Sequence, residues 1–397
     1  MIKRIGLIMG VFATFAVTAQ KTQTTTAIIR LRDGDMVKAH QYIDEALEAY
    51  KELVSTGGMM KSKDEAKFWY TRADIYFKLN SSKDSAVMAL SDRALDESKD
   101  ALLEVFRCDD KGTYMAEAEE LFRFVTNGFL NRAFDAIEAE RWADASKDFE
   151  TAYNLKLNEH FGDGGMMDTA TLYNAALMAQ YDENWENAIR LNKALLPSGY
   201  NEHLTYLYIA NYFKKLEMED SARYYVDRGI DKYPGNRDLL IERTNFFINA
   251  GDSEGALKSL EEAIVADPEN AILHSVYGTI LMQMDRTEEA NEPLLKAISL
   301  DTTLYESYYS LGVIRVERAN GLVEKMNARG ISDSKYKALK AEQKSHYEEA
   351  LPYFERALEI EPDDLLTIGA LKKVYYQLGM SVKMKAMMDL EKELTGE

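Results

Sequence analysis

Residues that could act as nucleophiles, metal ligands or acid–base pairs are few in this chain, and none is arranged for catalysis. The five histidines, at 40, 160, 203, 274 and 346, are dispersed, and no two stand at metal-ligand spacing. His274 falls at a bulky packing position of a helix and reads as a core residue. Cys108 is the single cysteine, with only Arg107 beside it as a basic group, so an inert thiol is expected. Ser332-Asp333-Ser334-Lys335 has a serine–lysine spacing but stands isolated in an expected exposed turn. The paired acids Asp109-Asp110 and Asp363-Asp364 sit beside helix ends, where carboxylates cap free N–H groups. Gly162, Gly164 and Gly165 fall together in residues 160–168. No strand precedes them and no Gly-Lys-Ser/Thr follows, so they read as a flexible connector rather than a phosphate cradle. HExxH, GxSxG, Walker and dinucleotide motifs are absent. The expectation is no catalytic residue, no metal site and no cofactor.

The elements that would position any site follow a 34-residue period. Ala222, Ala256 and Ala290 are each 34 apart, and Gly229, Ala263 and Ala297 repeat the step seven residues later. Ala210, Thr244 and Gly278 stand twelve residues before the first series, and Pro234 and Pro268 close two units. Such a period signals a stacked repeat array. Within Arg237–Asn270, Leu240 and Phe247 mark a first helix, Gly251-Asp252 break it, and Ala256, Leu260 and Ala263 are the buried stripe of a second. Small residues recur where two helix axes approach to about 8–10 Å.

This pattern resembles the tetratricopeptide repeat (TPR): bulky–small–bulky in the first helix, small–bulky–small in the second, then proline. The resemblance covers essentially the chain after residue 19. It implies an all-α fold, a right-handed superhelical solenoid of TPR helix-turn-helix repeats (about nine helix pairs) with one long helical-hairpin insertion. The regular frame runs unbroken from Thr169, with Ala176 and Ala188 in register and repeats starting at 169, 203, 237, 271 and 305. Upstream, Ala27, Ala39 and Ala46 keep the spacing, with Gly34-Asp35 at the turn. Ala66, Trp69, Ala73 and Tyr76 open a second repeat, but Ala94 and Ala101 arrive nine residues late, after Asn80-Ser81-Ser82. Tyr114–Phe124 reads as extra helix leading into a third repeat marked by Ala133, Ala145 and Ala152, with Trp142 and Phe149 packing. In the repeat at Tyr305, Leu311 and Gly312 are in place, yet Ala350 and Ala357 come 26 residues late. Both its helices should be extended into an antiparallel hairpin with Arg329-Gly330-Ile331-Ser332-Asp333 at the tip. Leu322, Val323 and Met326 would pack against Tyr336 and Leu339. Leu365–Leu378 and Ser381–Leu394, with Met384, Met387, Met388 and Leu390, form a closing pair.

Residues 1–19 read as an export signal: Lys3 and Arg4, the apolar run Ile5–Val17, then Val17-Thr18-Ala19 before Gln20. The thirteen-residue run is short of the roughly 20 needed to span a membrane. The segments are thus 1–19 signal, 20–159 irregular repeats, 160–168 connector, 169–304 four regular repeats, 305–364 the hairpin repeat (hairpin about 318–346) and 365–397 the capping pair. A soluble chain lying beyond a bacterial inner membrane is expected, periplasmic or facing the cell surface, with no integral span after cleavage. The net charge is −19. Loss of Lys3 and Arg4 leaves 46 basic residues against 67 acidic, which disfavours nucleic acid and anionic membranes as partners.

TPR resemblance implies a protein-binding scaffold whose first helices line a groove for a peptide or a partner's helix. By that analogy, groove residues fall one and five positions after each bulky first-helix residue. They are Tyr173, Leu177, Leu207, Asn211, Ile241, Asn245, Ser275, Thr279, Tyr309 and Val313. Asn211 and Asn245 would bond a peptide backbone. The chaperone-binding members place a lysine in the first slot to hold a terminal carboxylate, and none of these repeats has one. From Arg318 to His346 there are seven basic and three acidic residues. Lys325, Arg329, Lys335, Lys337, Lys340 and Lys344 therefore make either a solvated hairpin or a docking arm for an acidic partner. Three functions stay open: a protein-interaction scaffold in the cell envelope, an exported glycan- or substrate-binding component, or an enzyme with an unrecognised site.

Overall fold

The computed structural model describes residues 2–162 and 168–396, with side chains described from residue 16 onward. Gly164 and Gly165 lie outside the described residues. Among these residues the regular structure is all helix, and no strand is present. No helix among the residues searched is long and apolar enough to cross a membrane. The chain divides into two compact units, Met1–Leu216 and Glu217–Glu397.

The first unit contains α1 (Ile2–Arg32), α2 (Met36–Ser55), α3 (Ser62–Asn80), the single turn α4 (Ser85–Met88), α5 (Ala94–Cys108), α6 (Met115–Glu138), α7 (Trp142–Lys156), α8 (Thr169–Tyr181), α9 (Trp185–Leu195) and α10 (Glu202–Lys215). Helices pair as α1 with α2, α3 with α5, α6 with α7 and α8 with α9. The periodic alanines 27, 39, 46, 73, 94, 101, 133, 145, 152, 176 and 188 are all buried at the crossings. The nine late residues of the second repeat form α4 and its flanking turns. The expected extra helix at Tyr114–Phe124 is instead the front of α6, a single 24-residue helix whose Leu121, Phe122 and Val125 continue the buried stripe. Two charged staples, which follow no sequence period, cross this unit. Buried Arg72 of α3 donates to Asp44 of α2 at 2.6 Å and to Glu97 of α5 at 2.9 Å. Arg132 of α6 forks onto Asp148 of α7 with two bonds of 2.7 Å and reaches Asp96 of α5 at 2.9 Å.

The second unit contains α11 (Glu219–Lys232), α12 (Arg237–Asn249), α13 (Ser253–Ala266), α14 (Ala271–Gln283), α15 (Thr287–Leu300), α16 (Tyr305–Met326), α17 (Asp333–Ile360), α18 (Leu365–Gln377) and α19 (Ser381–Thr395). Three first helices of this unit open on Asx caps: Asn236, Asn270 and Asp364 each accept a backbone N–H of the first turn, as Asp168 does for α8 in the first unit, whereas α16 opens on Leu304. First helices end on a left-handed residue that lets the chain reverse. Gly251 and Gly379 serve there, and in the same 34-residue register the backbone is held by Glu183, Glu217 and Asp285 (φ 58°). Ala256, Ala290 and Ala350 are buried at the crossings. A Cβ added at Gly278 would stand 2.5 Å from Leu294 Cγ, and one at Gly312 2.7 Å from the Phe354 ring.

At 22 and 28 residues, α16 and α17 extend well past the 13 or 14 of the regular helices. They pack antiparallel, with residues 327–332 between them. Leu322 and Met326 are buried, but Val323 is 39% exposed and Tyr336 45% exposed, so the expected packing of those two is corrected. Val323 follows Leu322 by about 100° around the helix, which turns it off the face that meets α17. The hairpin is tied instead by Gln343 Nε2 donating to the Ala319 carbonyl (3.2 Å) and Tyr347 Oη donating to Asn320 Oδ1 (2.9 Å). In the closing pair, register places Lys372 where other first helices carry Gly, Ala or Thr. Its ammonium is bonded to Glu391 of α19, and α19 has no fully buried side chain.

Candidate peptide-binding site

The residues of catalytic type are committed to structure. Burial, reinforced by Glu65, pushes the Cys108 thiol up to about 12, so it is protonated at neutral pH. Ser332 caps α17 by accepting the Lys335 N–H, Asp364 caps α18, and Asp109 accepts the Tyr114 N–H at 2.6 Å. His274 is half-buried with its ring against the Pro268 carbonyl (2.9 Å), a helix-end contact rather than the core placement expected. Among the described residues no cluster of His, Cys, Asp and Glu is arranged to hold a metal ion.

The first-helix positions fare differently from one another. In the first unit Tyr173, Leu177 and Leu207 are half-buried and Asn211 is exposed, with the Tyr173 ring 5.3 Å from that of Tyr200. In the second, Asn245 is exposed with its amide 3.4 Å from Glu242, and Ile241 is half-buried in the α12–α15 core. Ser275 is a correction: it is only 7% exposed, and its hydroxyl accepts that of Ser307 on α16 at 2.7 Å. A small hydroxyl at that place joins consecutive first helices and faces no groove. Thr279 turns its hydroxyl onto the Ser275 carbonyl of its own helix (2.9 Å).

Tyr309 and Val313 are brought into a pocket of about 430 Å³, within the range of ligand sites. α16 supplies one wall with Tyr309, Val313, Val316 and Asn320. Tyr347 and Phe354 of α17 close the floor, the Phe354 ring edge-on to Tyr309 at 5.7 Å. α18 supplies the opposite wall with Leu365, Leu366, Gly369, Ala370, Lys373, Val374 and Gln377. Leu366 is 66% exposed, so the rim offers apolar surface to solvent. Burial raises the phenols of Tyr309 and Tyr347, which are neutral hydrogen-bonding groups here.

The family model of the tetratricopeptide repeat matches residues 247–303 and again residues 341–364. The chain carries tetratricopeptide repeats over these residues. A curated relative, an N-terminal acetyltransferase A complex subunit-like protein of Schizosaccharomyces pombe, is 31% identical over 86 residues. That match takes in 22% of this chain and 12% of the relative, so the chain spans only a small part of the relative's length. Similar solved structures include MamA (17% identity, TM-score 0.39, 48% of this chain and 91% of that one). They also include YrrB, titled a TPR protein with an unusual peptide-binding site (17%, TM-score 0.38, 51% and 91%). A third is the C-terminal part of a TPR protein from Cytophaga hutchinsonii (14%, TM-score 0.46, 67% and 95%).

The pocket reveals site residues that the repeat positions above left out. Carrying the register of Tyr308 across one repeat and the 26-residue insertion leads to Ile368, which is buried. The positions one and five beyond it are Gly369 and Lys373, both on the pocket wall. The signal was present in the sequence once the insertion was counted. Leu365, Leu366 and Tyr347 had no such marker, because they belong to a helix start and to the inserted helix.

Proposed function

We propose that this protein is a non-catalytic scaffold, exported to the bacterial cell envelope, that binds a peptide or a partner's helix on its first-helix face. The observation carrying this reading is the α16–α18 pocket. Tyr309 and Val313, picked by repeat position alone, form its wall, and exposed Leu365 and Leu366 extend its apolar surface. Covering apolar surface of this kind contributes about 25 cal/mol per Å² removed from water. With Cys108 protonated and buried and the serine–lysine segment spent on a cap, the chemistry left is recognition.

Export is supported by the order of charged, apolar and small residues in 1–19. Cleavage before Gln20 would leave Gln20–Arg32 as the first helix, thirteen residues long, the length of α8, α12, α14 and α18. The test of both parts is one preparation. Protein recovered from the envelope fraction should begin at Gln20, and a wild-type bait should retain protein partners that a Leu365→Asp bait loses. Retention of Met1 contradicts export, and identical partner lists from both baits contradict binding at this face.

A further inference from the structure

The pocket has a charge character that its surroundings do not share. The chain carries 67 acidic residues, yet no Asp or Glu lines the pocket among the described residues, and its one charged lining residue is Lys373. Lys373 is exposed, and its ammonium enters no ion pair or hydrogen bond of the described residues. Its sequence neighbour Lys372, by contrast, is held by Glu391. Helical register carries the pocket face outward along the hairpin. On α16, Val323 follows Val316 and Asn320 by seven and three residues; on α17, Tyr336 and Lys340 precede Tyr347 by eleven and seven. Val323 and Tyr336 are the two large apolar side chains that the hairpin leaves in solvent.

The cations of the hairpin divide in the same way. Arg318 and Lys344 are spent on Glu288 and Glu348, and Lys340 bonds Gln343. Lys325, Arg329, Lys335 and Lys337 are exposed, and none of their side chains has an ion pair or hydrogen bond among the described residues. A group of unpaired cations on the hairpin that also exposes Val323 and Tyr336 is opposite in charge to the acidic protein around it. It attracts a negatively charged partner and steers it towards the pocket.

We propose that the partner segment is an acidic peptide. One large apolar side chain seats between Tyr309, Val313 and Leu366, and its carboxylates lie on Lys373 and the hairpin lysines. This rests on the scaffold reading above and names the chemistry of its ligand. Uncharged and basic segments lack the second half of the contact.

The test is selection of a random peptide library, displayed on phage, against the full chain, followed by affinity measurement on the enriched peptides. Enriched sequences should be net negative with a large apolar residue. They should bind about tenfold more weakly to both Lys373→Glu and Leu366→Asp, and more weakly to wild type as salt rises. Both substitutions are at exposed side chains, so the fold is retained. Enrichment of neutral or basic peptides that still depend on Leu366 overturns the acidic partner while leaving the scaffold reading in place. Acidic peptides indifferent to both substitutions also overturn it. No enrichment above bare support counts against both readings.

Discussion

Replacing Gly312 with alanine sets two opposed effects against each other at the crossing of α16 and α17. Glycine in a helix interior is less favourable than alanine by about 1 kcal/mol, so the substitution gains that much from the backbone. The new methyl, however, would lie 2.7 Å from Phe354 Cε1 and Cζ and 2.8 Å from Cδ1, well inside van der Waals contact. Phe354 is buried and its ring is fixed edge-on to Tyr309, so it has little room to give. Overpacking of this kind costs about 1–3 kcal/mol. The net expectation is a loss of about 0–2 kcal/mol. Gly321 is the control: it lies on the same helix, a Cβ there meets nothing within 4 Å, and Gly321→Ala should gain about 1 kcal/mol. The two variants should therefore separate by about 1–3 kcal/mol in thermal melts followed by far-ultraviolet circular dichroism. If Gly312→Ala is as stabilising as Gly321→Ala, the helices do not cross closely there and the assigned repeat register is wrong.

Three further outcomes are expected. Asp285→Gly should raise stability by about 0.5–1 kcal/mol, because φ at this turn is 58° and glycine adopts it without a Cβ penalty; an unchanged or lower melting temperature would contradict this. At Asp364, burial opposes the charge, but the bonds from Thr367 and Tyr305 outweigh it and hold the carboxyl below its ordinary 3.8. A lowered pKa stabilises the fold above the unfolded value and loses that contribution as pH falls through the folded one. Asp364→Ala should then cost about 1 kcal/mol at neutral pH. The gap from wild type in melting temperature should narrow below pH 3.8, and a gap independent of pH would refute the charged cap. Deleting Asn320–Ser345 removes Gln343 and Asn320, one member of each hairpin tie, and restores the twelve-residue step from Gly312 to Ala350. Melting should change little, whereas unfolding would show that the hairpin holds the second unit together.

The fold was legible because helix crossings demand small side chains, and a stacked array repeats that demand at a fixed step. Ala222, Ala256, Ala290 and Ala350 are each fully buried where the period placed them. Features that do not recur were harder to read. Arg72 and Arg132 staple three helices each with partners from 16 to 36 residues away, and no spacing announces them. Glu183, Glu217 and Asp285 occupy the left-handed turn position that Gly34, Gly251 and Gly379 advertise by residue type. The site was half legible. Tyr309 and Val313 follow from repeat position, whereas Ser275 at the same position is consumed by Ser307. Neighbour identity decides between groove and interface, and a single repeat's sequence does not contain it. The α18 wall required carrying the register across the insertion, and the outward turn of Val323 and Tyr336 required the handedness of the hairpin packing.

A partner seated on the first-helix face between α16 and α18 would lie within reach of Val313. A photo-crosslinking amino acid placed at Val313, in the protein as expressed in its own cells, tests that placement directly. Val382 is the comparison site, since at 86% exposed it collides with passing proteins more freely than half-buried Val313. A discrete crosslinked partner is expected from position 313 and none of that species from position 382. Crosslinks of the same partner from 382 alone, with nothing from 313, would contradict it.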